Sequence, residues 1–155
     1  MKLQLTEALQ KRKELKENIA SLTGRLTKNL RVEKAEKDEP KNLPLEDPEA
    51  LLAKLRSQYE QLESLVSRIM KTNYLTKVGD KYLIELIIHR DILKKKIALF
   101  QLALTTAENP NRYGSKPTIP TKNPNDIRKE HDSLSKELRE LDSLIQRTNW
   151  ETELL

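Results

Sequence analysis

The stretch Leu83–Ala107, LIELIIHRDILKKKIALFQLALTTA, decides the fold. From Leu83 to Leu104, fourteen of 22 residues are apolar, and between Ile97 and Leu104 only Gln101 is not. Read as a helix, the segment is apolar around most of its circumference, so it must be covered on several sides. It is therefore either the centre of a helical bundle or part of a subunit interface. A membrane span is the other use of such a run, but Glu85, His89, Arg90, Asp91 and Lys94–Lys96 interrupt it, and charges at the centre of a span are costly.

Working outward, Glu108–Asn123 is a polar loop with Pro110, Pro117 and Pro120, which favour an extended path. A further helix starts at Asn123-Pro124, where a side-chain cap precedes a proline suited to the first turn. Its Ile127, His131, Leu134, Leu138, Leu141 and Ile145 recur in steps of four and three, a coiled-coil-like seam. Trp150 and Leu154-Leu155 follow, so the last residues are expected to dock. On the other side, Val78-Gly79-Asp80-Lys81 predicts a tight turn, with room for a small β-hairpin between Tyr74–Lys77 and Lys81–Leu83. Before it, Asp47-Pro48-Glu49 marks a helix start, and Leu51, Leu52, Leu55, Tyr59, Leu62, Leu65, Val66 and Ile69 keep helical spacing to about Met70. The first helix runs from about Thr6 to Leu30, with Leu5, Leu9, Arg12, Leu15, Ile19, Leu22, Leu26 and Leu30 along one face. Gly24 costs that helix about 1 kcal/mol against alanine, and a close crossing by another helix is the expected reason for it. Glu33–Glu46, with Pro40 and Pro44, has little to bury and is expected to be a mobile connector.

These elements predict an all-α fold, an antiparallel bundle of four main helices with one small β-hairpin between the second and third. A chain of 155 residues suits a single domain, 1–155. The absence of cysteine excludes disulfides, iron–sulfur ligation and a thiol nucleophile, and three glycines leave no phosphate-cradling loop. The formal charge is +5, from 29 basic and 24 acidic residues. Residues 1–32 carry eight basic and three acidic residues, which is +5, so the excess belongs to the first helix. Concentrated charge attracts polyanions such as nucleic acid or anionic lipid, but the favoured reading is a solvated helix face that pairs with acidic neighbours after folding. The opening MKLQLTEALQKRKEL has no apolar signal-peptide core, so a soluble, cytoplasmic protein is expected.

The run Arg139–Leu154, with REL at 139–141 and NW at 149–150, resembles small bacterial proteins labelled septicolysin-like. Arg68-Ile69-Met70-Lys71-Thr72-Asn73 and Arg90-Asp91-Ile92-Leu93 extend the resemblance. It implies a helical fold and, from the family's label, a cytolysin. It brings no catalytic residues, only polar positions that stand near apolar stripes: Arg68, Asn73, Arg90, Asp91, Arg139, Asp142 and Asn149.

Those positions are the candidate ligand-binding residues, because the arginine fork suits carboxylate or phosphate. Their plainer role is an ion-pair and amide network that fixes helix register. Arg90 lies on the turn shared by Leu83, Leu86, Ile87, Leu93 and Ile97, so it is expected to be partly buried and to need a carboxylate. Asp91 projects about 100° away around the helix, which makes Asp142 or Glu140 the expected partner. Glu85 and His89 share a helix face and His131 sits on the seam, but the paired Glu-x-x-His motifs of a di-iron bundle are missing, so no metal or cofactor is expected. No nucleophile elbow or triad pattern occurs, which argues against an enzyme. Lys94-Lys95-Lys96 with Arg12, Lys13 and Lys16 would form a basic patch if the first and third helices were neighbours, but Tyr59, Tyr74, Tyr82, Phe100 and Tyr113 stand apart from them.

The sequence thus predicts a non-enzymatic bundle protein acting through self-association, as a homo-oligomer, or through contacts with a protein partner. Two further readings are less favoured: an oligomeric, membrane-active cytolysin, as the family label suggests, and a weak nucleic-acid or polyanion binder using the basic first helix, with nucleic acid or an anionic membrane as the less expected partners.

Overall fold

The computed structural model describes residues 2–110, 114 and 116–155. Tyr113, named above among the aromatics, lies outside the described residues, as do positions 111, 112 and 115 of the proline-rich loop. Among the described residues the elements are α1 (Leu5–Asn29), α2 (Pro48–Leu75), β1 (Lys77–Val78), β2 (Lys81–Tyr82), α3 (Leu83–Ala107) and α4 (Pro124–Glu151). The all-α class and the hairpin are as expected. Helix α2 continues to Leu75, some residues past the expected end, and the strands are shorter than the sequence suggested. The chain forms two compact units, one of residues 1–72 with 152–155 and one of residues 73–151.

In the first unit, Ile19 and Leu26 of α1 cluster with Leu51 and Leu55 of α2, and Leu22, Leu52 and Leu62 pack against them. Every position of the expected α1 stripe is buried or half-buried except Leu30, which lies just past the helix. The α2 stripe has one exception, Tyr59, which is 55% exposed because its ring can keep one end wet. Helix α2 starts as the sequence implies: the Asp47 carboxylate accepts from the Glu49 amide at 3.1 Å. Where α1 ends, buried Asn29 donates to the Arg25 carbonyl at 2.8 Å and accepts from the Glu46 amide at 3.0 Å. The Arg25 guanidinium grips Glu46 beside it, with Nε 3.0 and 3.1 Å from the two carboxylate oxygens. This contact holds the Glu46 carboxyl below its ordinary range and raises Arg25.

The expected close crossing at Gly24 is absent. Among the described residues a Cβ placed there meets nothing within 4 Å, so none of them demands a glycine at that point. The connector also has local order: Lys41 donates to the Glu33 carbonyl at 2.8 Å and Ala35 to the Glu39 carbonyl at 2.7 Å. Lys37 and Asp38 turn the chain between them at positive φ, 89° and 63°.

The chain's last residues complete this unit. Thr152 accepts from the Leu5 amide and Leu154 donates to the Leu3 carbonyl, each at 2.8 Å, so the tail lies antiparallel to the entry into α1. The Leu155 amide donates to Thr72 Oγ1 at 3.0 Å, and Lys2 pairs with Glu153 at 2.9 Å. Leu154 is buried, so the tail docks as expected, whereas Trp150 is 68% exposed.

In the second unit, β1 and β2 pair antiparallel with Lys77 opposite Tyr82, and the Lys77 ammonium lies 5.8 Å from the Tyr82 ring centre. Gly79 takes φ +66° at the first turn position, where the tightest hairpins favour glycine. The Leu83 amide then donates to the Thr76 carbonyl at 2.8 Å and α3 begins. Helix α3 packs along α4, with Arg128 of α4 paired to Glu108 just past α3. All six seam positions of α4 are buried or half-buried, Ile145 most deeply at 2%. Asn123 caps α4 through the Asn125 amide at 2.9 Å.

Candidate functional site

Helix α3 carries two apolar faces. Leu83, Leu86, Leu93 and Leu104 are buried, and Ile97 and Phe100 are half-buried on the same side. At about 100° per residue these point one way. Ile88, Ile92, Leu99 and Leu102 point to the opposite side and are 56%, 46%, 61% and 59% exposed. They stand within about 80° of arc, with Lys95 completing the spacing of four, three, four and three. The expectation that α3 is hidden on all sides is therefore half met within one chain. Four large aliphatic side chains in one row are more than the scattered apolar exposure usual for a soluble surface.

The row runs into a cleft of about 770 Å³ at the C-terminal half of α3. Leu99, Leu102 and Ala103 of α3, Ile119 and Pro120 of the proline-rich loop and Ile127 of α4 line it. Ile119 is 87% exposed, so the cleft extends the apolar surface beyond the helix.

The polar positions singled out from the sequence do not share one set of contacts. Arg68 belongs to the first unit and the other six to the second. Arg68 is exposed and its Nε donates to the Leu155 carbonyl oxygen at 2.9 Å, so it holds the chain's own tail. It also lines a polar cleft of about 680 Å³ beside α1 and α2, where Gln58 Oε1 is buried with no hydrogen-bond partner among the described residues. Arg90 is partly buried, as expected, but its carboxylate is Asp91, at 3.2 Å from both Nε and Nη2, rather than Asp142 or Glu140. The long arginine side chain curls sideways to its neighbour, which the angular separation of the two Cβ atoms does not prevent. Asn73 is buried; Asp142 and Asn149 are half-buried and Arg139 is exposed.

His89 Nε2 lies 2.9 Å from Glu137 Oε1, which ties α3 to α4, and half-buried His131 lies 3.3 Å from Asp132. Among the described residues no three His, Asp or Glu side chains gather as metal ligands, and no helix is long and apolar enough to cross a membrane.

A model described as "Family of unknown function (DUF6847)" matches residues 12–154. The chain belongs to this family. Among solved structures, the DUF6847 chain is similar to a functionally unknown conserved protein from Corynebacterium diphtheriae. Identity is 30%, both chains are covered over 100% of their length, and the TM-score is 0.90. No curated protein matches. The septicolysin-like label drawn from the C-terminal run finds no support in these likenesses, so the lytic activity that label implied has none either.

The surplus of apolar residues in α3 is plain in its composition, whereas the outer row they make shows only in their spacing. The signal was present: Ile88, Ile92, Leu99 and Leu102 keep heptad spacing of their own, offset by nearly half a turn from the buried set.

Proposed function

We propose that this DUF6847 protein is a non-enzymatic helical protein that works by associating with itself through the outer face of α3. The observation that carries the reading is the exposed row Ile88, Ile92, Leu99 and Leu102 on a helix whose other face is already buried. A second helix laid on that row removes four aliphatic side chains from water at about 25 cal/mol for each Å² covered. The adjoining cleft enlarges the surface available to a second copy.

Sedimentation equilibrium at tens of micromolar tests this. The expected result is a mass above that of the 18.0 kDa chain, falling to the monomer for Leu99→Asp, with the helical circular dichroism unchanged. The substitution spares the fold because Leu99 is 61% exposed. A wild-type monomer at that concentration overturns the proposal and turns attention to a different protein as the occupant.

A further inference from the structure

We infer that the second copy lies antiparallel to the first along α3, in a register centred on Lys95; the inference rests on the self-association proposed above. The exposed row reads almost the same from either end. Ile88 and Leu102 each stand seven residues from Lys95, and Ile92 and Leu99 stand three and four residues away. A two-fold axis through Lys95 thus sets Ile88 against Leu102 of the second copy and brings Ile92 within one residue of Leu99. Such a surface is self-complementary, which is what a two-fold interface between identical chains requires.

The cleft chooses between antiparallel and parallel. It lies at one end of the row only, beside Leu99 and Leu102. In the antiparallel pair, Ile88 of the second copy arrives at the mouth of that cleft, so the full end of each row meets the hollow end of the other. A parallel pair sets hollow against hollow and leaves apolar walls wet. The antiparallel arrangement also brings each helix's positive end to the other's negative end.

Lys95 is the one charge in the row. The same axis sets Lys95 beside Lys95 of the second copy, and this like-charge contact lowers the stability of the pair, so the register rests on the flanking apolar residues. The Lys95 methylene stem can lie along the seam while the ammonium reaches outward. The pairing supplies an acceptor there: Asp91 of the second copy stands opposite Leu99, one turn from Lys95, and Asp91 is exposed in the single chain.

The chain contains no cysteine, so single cysteines report the register directly. Residues on the axis of a close helix pair approach the Cα separation of about 4.4–6.8 Å that a disulfide spans. Under mild oxidation Lys95→Cys is expected to run mainly as a reducible covalent dimer on a non-reducing gel. Ile88→Cys alone is expected to stay monomeric on that gel, and Ile88→Cys combined with Leu102→Cys to cross-link. Adding Leu99→Asp to Lys95→Cys should abolish the covalent dimer. Cross-linking of Ile88→Cys with itself, in a protein that sediments as a dimer, overturns the antiparallel register and leaves self-association standing. A dimer in which Lys95→Cys fails to cross-link overturns the register likewise. If the wild-type chain sediments as a monomer, the underlying proposal falls with it.

Discussion

Helices α1 and α3 have the same length, 25 residues, and opposite characters. α1 keeps its leucines and isoleucine in one row and surrounds them with charge, and that row is consumed by a core shared with α2. α3 keeps a row for the interior and a second for the outside. One helical neighbour covers a helix of the first kind. A helix of the second kind is left with apolar surface that its own unit does not cover. The contrast teaches that hydrophobic content alone says little about where a helix sits; the number of rows into which the content divides says how many neighbours it needs.

The two faces of α3 should respond very differently to the same truncation. Leu93→Ala, at a site 2% exposed, is expected to cost about 2–5 kcal/mol in urea denaturation. Leu99→Ala is expected to stay within about 0.5 kcal/mol when measured on dilute, monomeric protein. Equal losses would mean that the outer row is part of the fold. A smaller effect of opposite sign is expected in α1. Because Gly24 has open space around it, Gly24→Ala should raise stability by about 1 kcal/mol in the same measurement. A loss there would reveal a neighbour that reaches the glycine.

The smallest expected effect concerns the junction of α1 and α2, which is polar where the outer face of α3 is apolar. Arg25 holds the Glu46 carboxyl below its ordinary range. A carboxylate whose folded value is depressed stabilises the fold above its unfolded value, and that contribution is lost as pH falls through the folded value. Acid denaturation of Glu46→Gln should therefore start from lower stability at neutral pH and show a weaker acid dependence below about pH 4.3, the ordinary glutamate value. Identical slopes for the two proteins would detach the pair from folding. Solvent access to both side chains keeps the effect modest.

Much of the fold was legible because its signals are local. Asp47-Pro48, Asn123-Pro124 and Gly79 announce two helix starts and a turn through backbone chemistry within a few residues, and the bounds of α3 follow from its apolar run. The partners of the polar residues were not legible. Arg68 takes a backbone carbonyl 87 residues away, and Arg90 takes its immediate neighbour. A guanidinium on a long flexible stem accepts either, and sequence spacing does not rank them. The resemblance read from the C-terminal run was no better guide, since much of that segment follows the helical period of α4 and its last residues serve to close the first unit.

That closure has a consequence for the order of events at the ribosome. Among the described residues, Leu3 and Leu5 exchange strand-like hydrogen bonds with Leu154 and Thr152. All of residues 6–151 must be made in between, which takes on the order of 7–29 s at typical synthesis rates. During that interval the head of α1 waits with its backbone groups open to water, while the hairpin, α3 and α4 take the hydrogen bonds described above from within residues 73–151. Residues 152–155 therefore seal the head of α1 only after both helices of the first unit have been made.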